Sequence, residues 1–510
     1  MENHQREFRF SASSIMSFVW RGIVVGIVSG AVVSLFRLAI EILFEEVITV
    51  YYQAQTNPWL LFPITLISLV VVCFISLLVK SEPDIKGSGI PHIEGELKGL
   101  LRTDWWGVLW KKFLAGIVAI SMGFMLGREG PSIQLGAMSA KGVAKYVKAS
   151  RMETRAFIAS GAAAGLSAAF NAPIAGLLFV VEEIYHHFSR MVWVTALVAS
   201  LVANFISLNI FGLTPVLSMN QNLPFLALQD YWIFILLGIF LGVMGFGYEK
   251  VILNLHHFYH IIGKKCHIPP YAYGIIGLLL VIPIGYFYPQ LLGGGHRLII
   301  SLAQNHLPLA TIVFYFCIRF VGSMISYGSG LPGGIFLPML TLGALLGMAF
   351  GLILEQFHLI SGDALPLFIV LGMAGYFGAI SKAPLTAMIL VTEMVGDLKQ
   401  LMTIGIVTLV AYIVMDLLKG EPIYEAMLAK MTISHMTDIV EPTLMEMVVS
   451  DKIAGKKVRE LSLSKNILIT TQIHHSKSEL VDGDTILHAG ATIFVVVNER
   501  EMGRVKALLM

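Results

Sequence analysis

Long apolar runs separated by short polar stretches make up most of the first 430 residues. Runs of spanning or near-spanning length recur at about 17–43, 59–80, 107–126, 156–181, 192–213, 231–253, 271–289, 309–328, 334–354, 366–380 and 400–418. A helix needs about 20 apolar residues to cross the hydrocarbon of a bilayer, and several runs are shorter or are cut by glycine and proline. Broken spans are tolerated at membrane depth only where protein or a polar cavity surrounds them. The pattern therefore predicts an all-α polytopic membrane protein with a transport function.

The last 80 residues have a different pattern, because 19 of them are charged, against 49 of the preceding 430. Short alternating apolar stretches in this tail are bounded by turn residues and are typical of β-strands. We predict a cytosolic N-terminal segment 1–16, a membrane domain 17–430, a linker 431–445 and a small cytosolic α/β domain 446–510. Arg6 and Arg9 favour a cytoplasmic N-terminus.

The overall composition excludes several classes of protein. Apolar residues make up 56% of the chain and charged residues 13%, about half the charged share of a soluble protein. The net charge of +2 is too small to indicate a nucleic-acid partner. The three cysteines have no metal-binding spacing, and no catalytic constellation is present, so we expect no enzyme activity, no metal and no cofactor.

The membrane domain contains an internal repeat. The pattern GxxxPxxxxG begins at Gly127 and recurs at Gly334, 207 positions later. A second pattern, Gly161…Pro173…Glu182, recurs as Gly372…Pro384…Glu393 at an offset of 211. The domain therefore consists of two related halves, about 20–215 and 230–420.

Paired segments broken by glycine and proline are a sequence indicator of a transporter's binding site. Pro131 and Pro338 suit the first turn of a helix, where a missing N–H costs nothing. A helix that begins inside the membrane presents free N–H groups and its positive dipole end, so two such termini predict an anion site. The alternative is that the repeated glycines serve only close helix packing.

Other polar residues lie at membrane depth. Ser88, in the motif GSGIP, offers a hydroxyl to an anion or acts as a helix N-cap. Glu129 lies inside the first broken-helix motif, where it would block an anion site when ionised and open it when protonated. Glu182 and Glu183 end a long apolar run; intramembrane acids are usually functional, but at this position a solvated boundary is an equal alternative, as it is for Glu393.

Taken together, these motifs resemble the CLC family of chloride channels and chloride/proton antiporters. The resemblance rests on GSGIP at 87–91, GREGP at 127–131, GGIFLP at 333–338 and the Pro-x-Tyr at 422–424, in that order. The segment 161–183 is also similar to the family. The resemblance implies a homodimer in the cell (inner) membrane, with both termini cytoplasmic and one pore per subunit, and two inverted-topology repeats of broken and tilted helices.

The resemblance also implies roles for individual residues. It assigns the central chloride to the hydroxyls of Ser88 and Tyr424 and the backbone amides of Ile335 and Phe336. The acids would handle protons: Glu129 as the external gate and Glu183 as the internal transfer group, with Glu182 beside it. Passive channels of the family commonly lack an acid at the position of Glu183, and nitrate-selective members carry proline at the position of Ser88. The residues here therefore favour a chloride/proton antiporter over a passive, voltage- or pH-gated chloride channel.

The tail resembles the RCK (TrkA-C type) regulatory domain of potassium channels and transporters. That resemblance implies a domain that dimerises and can bind a small ligand such as cyclic di-AMP, with Asn466, Ile467, His474 and His475 as candidate contacts. The alternative is a dimerisation module without a ligand. The tail also raises the remoter alternative of a cation transporter, which the amide-rich helix termini of the membrane domain disfavour.

Overall fold

The computed structural model describes residues 12–185, 190–219, 223–431, 442–450, 453–461, 463, 467–474 and 477–498. The chain forms two compact units, a large helical unit (Met1–Lys98 and Thr103–Thr432) and a small unit (Gly99–Arg102 and Ile433–Met510). Among the described residues, nine helices are long and apolar enough to cross a membrane. The protein is therefore a multi-pass membrane protein.

The first half of the helical unit contains long helices interspersed with short ones. In chain order they are α1 (Ala12–Thr56), α2 (Leu61–Ser81), α3 (Ile90–Leu97), α4 (Trp105–Ser121), α5 (Glu129–Tyr146), α6 (Arg151–Phe170), α7 (Pro173–Phe179), a π-helical turn (Val180–Tyr185) and α8 (Arg190–Phe211).

The second half repeats this order after its own long first helix. Its elements are α9 (Trp232–Cys266), α10 (Gly274–Phe287), α11 (His296–Gln304), α12 (Leu309–Gly328), α13 (Phe336–Gln356), α14 (Leu365–Ser381), α15 (Pro384–Val395), α16 (Leu401–Leu417) and α17 (Ile423–Lys430).

The break between α6 and α7 has the same local cause as the break between α14 and α15. Asn171 ends α6 in the left-handed conformation, with φ of 56°, and Lys382 ends α14 in the same way, with φ of 57°. Pro173 and Pro384 then begin the next helices, as proline does when its missing N–H falls in a first turn. The two halves of the repeat therefore share the same break in the backbone.

Some of the repeated glycines serve helix packing, the alternative raised above. A Cβ on Gly136 of α5 would overlap the carbonyl oxygen of Gly161 in α6, and a Cβ on Gly343 of α13 would lie 2.5 Å from that of Gly372 in α14. Because glycine lets two backbones touch, α5 packs on α6 as α13 packs on α14. The packing interpretation is right for these four glycines.

The tail folds as a four-stranded antiparallel sheet in the order β1-β4-β2-β3, with strands Pro442–Val448, Ile467–His474, Lys477–Leu480 and Thr492–Asn498 for β1 to β4. Ile469, Val495 and Ile493 belong to its small apolar core. Strand β1 pairs with β4 along its whole length, and it begins at Pro442, within the stretch 431–445 that was predicted as a linker.

Candidate anion and proton site

Three glycine-containing loops of the helical unit meet at one place. Gly127, just before α5, and Gly334, just before α13, exchange two backbone hydrogen bonds of 2.7 Å each. The N–H of Gly333 donates to the carbonyl of Gly87, in the loop before α3, at 3.1 Å. The structure thus brings together the starts of three helices that are far apart in the sequence. The first N–H groups of a helix have no partner within the helix, so the junction concentrates hydrogen-bond donors.

Ser88 and Tyr424 contribute buried hydroxyl groups. Neither hydroxyl has a hydrogen-bond partner in the described part of the chain. Ser88 is not an N-cap, because Gly89 occupies that position before α3 with φ of 89°. A Cβ on Gly130 of α5 would overlap the Ser88 oxygen, so the hydroxyl lies against the first turn of α5. A buried polar group without a partner costs about 1–3 kcal/mol, which suits a site that a ligand completes.

The start of α13 lies close to Tyr424. Ile335 precedes the helix, Phe336 is its first residue, and both are buried. The Phe179 ring is 6.1 Å, centroid to centroid, from both the Phe336 ring and the Tyr424 ring. The aromatic cluster therefore holds Tyr424 near the free amides of α13.

Glu129 is the first residue of α5 and is fully buried. Neither of its carboxylate oxygens completes a hydrogen bond within the described residues. A Cβ on Gly127 would overlap one of these oxygens and would lie 3.2 Å from the backbone nitrogen of Leu337. The carboxylate thus occupies the space in front of α13. The neighbouring Arg128 is paired elsewhere, since its guanidinium donates to Glu41 at 2.6 Å.

Glu183 lies in the π-helical turn and is 5% exposed. Turns of this kind are rare and occur frequently at functional sites. The burial argues against a solvated boundary at this position, and the role of Glu183 in proton transfer stays a prediction.

Glu182 has a different environment from its neighbour. Its carboxylate accepts the backbone N–H of Leu385 at 3.2 Å, and the N–H and hydroxyl of Thr386 at 2.7 Å each. In return, the carboxylate of Glu393, at the end of α15, accepts the N–H of Ile174 at 3.2 Å and that of Ala175 at 2.8 Å. Each half of the repeat thus caps the first turn of a helix in the other half. The geometry gives both glutamates a structural function.

We expect Glu182→Gln and Glu393→Gln each to lower the free energy of unfolding by about 1–3 kcal/mol, because a charged acceptor of helix N–H groups is lost. Thermal unfolding of the purified protein measures the effect. The exposed Glu46→Gln serves as the control and should leave the melting temperature unchanged. Equal stability of all three variants would remove the capping function.

Two buried cations each bind the carbonyls of a loop that precedes a helix, and sequence reasoning missed both. Lys112 of α4 donates to the carbonyls of Ile85 and Gly87 at 2.9 and 2.6 Å. Its counterpart Arg319 of α12, 207 positions later, donates to the carbonyls of Leu291, Gly293 and Gly294, in the loop before α11, at 2.8, 2.6 and 2.6 Å. The same offset of 207 that relates the GxxxP motifs was the available signal.

Two of the four candidate tail residues, Ile467 and His474, are described, and they lie far apart within one chain. Ile467 begins β2 and His474 ends it, which separates them by about 23 Å at 3.3 Å per residue. Asn466 and His475 lie outside the described residues. His474 instead stacks on His488, with the ring centroids 4.6 Å apart.

Residues 69–416 match the family described as voltage gated chloride channel. The chain belongs to this family, the CLC proteins. Residues 444–510 match a second family, the TrkA-C domain. Both predicted resemblances are confirmed, and the tail match includes most of β1.

Individual CLC relatives agree with this assignment. The H(+)/Cl(-) exchange transporter ClcA of Vibrio parahaemolyticus is 35% identical over 440 residues, which cover 83% of this chain and 91% of the relative. The protein of the same name from Salmonella schwarzengrund is 33% identical over 425 residues, covering 81% and 89%. The structure of a slow cyanobacterial Cl-/H+ antiporter has a TM-score of 0.74 at 31% identity and covers 82% of this chain and 98% of that one. The predicted CLC fold is confirmed.

Proposed function

We propose that this CLC protein exchanges chloride for protons across the membrane. The observation that carries the proposal is the position of Glu129, whose buried carboxylate lies in front of the helix N-terminus that would bind an anion. A carboxylate and a chloride ion compete for the same amides. Protonation removes the charge of the carboxylate, so a proton and a chloride ion are linked at one place.

The chloride site in this proposal uses two hydroxyls that have no hydrogen-bond partner among the described residues and the N–H groups at the start of α13. Ser88 and Tyr424 would donate their hydroxyls, and Ile335 and Phe336 their backbone amides. Together these supply four neutral donors, which bind an anion without a lysine or arginine at the site. Neutral donors also suit rapid transport, because binding must be weak enough for the ion to leave.

Glu183 would transfer protons between Glu129 and the other side of the membrane. The relatives named above are exchangers, which supports coupling in this chain. The alternative on the same scaffold is a passive chloride channel, voltage- or pH-gated, and the buried acid at Glu183 is the observation against it. A cation transporter is disfavoured, since the junction presents amides rather than carbonyls.

The test is proton movement in liposomes that contain the purified protein. An outward chloride gradient should drive protons inward against their own gradient, and the reversal potential should depend on both ions. A reversal potential that follows chloride alone would reject the antiporter and favour the channel.

We expect Ser88→Pro to shift the anion preference toward nitrate. The substitution removes a hydroxyl donor and a backbone N–H from the chloride site, and a site with fewer donors favours the less strongly hydrated anion. Relative chloride and nitrate fluxes measure the change, with Ser88→Thr as the control that keeps a hydroxyl. An unaltered preference would limit Ser88 to a role in the turn before α3.

For the assembly, we propose a homodimer in the cell (inner) membrane with both termini in the cytoplasm. The domain boundaries would be a membrane domain 17–430, a linker, and a regulatory domain that includes β1. We further propose that the tail pairs with its copy and binds cyclic di-AMP at the seam. Two copies are needed there, because one chain keeps Ile467 and His474 at opposite ends of β2.

The regulatory proposal is tested on the full-length protein. Chloride flux should change on addition of cyclic di-AMP, and the change should disappear in Asn466→Ala and His475→Ala. A ligand shifts transport only by its differential affinity for two states of the protein. Flux that is indifferent to cyclic di-AMP would leave a dimerisation module.

A further inference from the structure

A single lysine joins the helix that follows Ser88 to the helix that carries Tyr424. The ammonium of Lys98, at the end of α3, donates to the Glu94 carboxylate at 2.8 Å and to the Glu425 carboxylate at 2.9 Å. Glu94 lies one turn before Lys98, the spacing at which helical side chains meet, and Glu425 lies in the first turn of α17. These three residues form a charged cluster, and its two glutamates, which Lys98 joins, are here called the lysine-linked pair.

The cluster leads from solvent into the protein. The side chain of Glu425 is 52% exposed, that of Lys98 26%, and that of Glu94 is fully buried. Helix α3 packs against both α17 and the π-helical turn that contains Glu183. One oxygen of Glu94 has no hydrogen-bond partner in the described residues. The exposure of the lysine-linked pair therefore falls from Glu425 to Glu94, which lies on the helix that packs against the turn containing Glu183.

Charge also connects the cluster to Glu183. Among the charged groups, Glu94 acts most strongly on Glu183, followed by Glu182 and Glu425, with Lys98 opposing them. Glu94, Glu182, Glu183 and Glu425 bring four carboxyl groups against one ammonium. Neighbouring carboxylates that lack enough cations bind a proton between them, so the arrangement suits proton transfer better than a fixed ion pair.

We propose that Glu425, Lys98 and Glu94 form the proton intake path to Glu183. The inference rests on the proposed antiport function. A proton from water binds the Glu425 carboxylate, passes to the Glu94 carboxylate and then to that of Glu183. Lys98 stays an ammonium throughout. When one of the two carboxylates is protonated, the hydrogen bond from Lys98 to that group breaks.

Glu182, the other acid beside Glu183, is less suited to this role. Its oxygens accept three hydrogen bonds at the start of α15. Protonation would remove the negative charge that caps the helix. In the lysine-linked pair, by contrast, one oxygen of Glu94 has no hydrogen-bond partner among the described residues, and the outer member, Glu425, already contacts solvent.

The experiment measures chloride and proton flux together in liposomes. We expect Glu94→Gln to lower proton flux by about a hundredfold, the lower end of the usual range for loss of a proton-transfer group, while chloride flux persists. Glu425→Gln should lower proton flux less, because the position is half exposed and water beside it can take over the transfer. Glu421→Gln is the matched control, an exposed glutamate four positions before Glu425, and should keep the wild-type ratio of protons to chloride.

The outcomes separate the two proposals. A wild-type protein without coupled proton flux would overturn the antiport function itself. Coupled wild-type flux with unchanged ratios in Glu94→Gln and Glu425→Gln would overturn the intake path alone, as would loss of coupling in Glu182→Gln only. Chloride flux reports folding in each preparation; if Glu94→Gln is inactive for both ions, the exposed Glu425→Gln decides.

Discussion

Replacing Glu129 with glutamine should give a protein that conducts chloride with little dependence on pH and moves no protons. Glutamine has the shape of the protonated carboxyl group but cannot ionise, so it can neither occupy the amides at the start of α13 as an anion nor carry a proton. Of the variants considered, this one should change transport most, since a single group serves both ions.

The measurement is chloride and proton flux in liposomes over a range of pH. Glu46→Gln is the control, because Glu46 is an exposed acid in α1, and it should retain the wild-type pH profile. A Glu129→Gln protein that still drives protons against their gradient would show that proton and chloride use separate gates.

Replacing Glu183 with glutamine should abolish proton flux and leave chloride flux near its wild-type rate. Ser88, Tyr424 and the amides of α13 are untouched by this change, whereas the internal proton-transfer group is gone. The same flux assay measures it, and the adjacent Glu182→Gln should lower stability yet keep coupling. Equal coupling in Glu183→Gln and the wild type would assign Glu183 a purely structural function.

The site could be predicted from the sequence wherever a motif carries it. The repeated GxxxP pattern correctly indicated two helices that begin where the glycine-containing loops meet, with Pro131 and Pro338 in their first turns. Hydropathy did not reveal α3 or α17, because each has only eight residues and a short buried helix has no spanning run. Nor did it reveal α5, whose small residues and glutamate lower its apolar character.

Contacts between distant positions were beyond sequence reasoning. The carboxylate of Glu182 accepts a hydrogen bond from Thr386, 204 positions away. The sequence around either residue does not indicate this contact. The bond between Lys98 and Glu425 spans 327 positions. The repeat offset was the only available guide to such pairs, and it predicts which positions are equivalent, not which ones touch.

The tail illustrates a different limit. Turn residues and alternating apolar positions correctly indicated strands, but the first strand begins inside the stretch assigned to the linker, at Pro442. Register comes from pairing, and the partner strand Thr492–Asn498 lies some 50 positions later. Of the four candidate ligand contacts that the resemblance implied, the two that the structure describes, Ile467 and His474, lie at opposite ends of β2.

The pair of backbone hydrogen bonds between Gly127 and Gly334 restricts how the two halves can move. Transporters that alternate access by rocking one half against the other separate the halves at the substrate site. Here two hydrogen bonds join the halves at the proposed anion site, and each bond contributes about 0.5–1.5 kcal/mol to stability. A large rocking motion would have to break both or turn about them as a hinge. Rotation of the Glu129 side chain leaves both hydrogen bonds intact. A barrier to chloride at this site would therefore be the size of one carboxyl group.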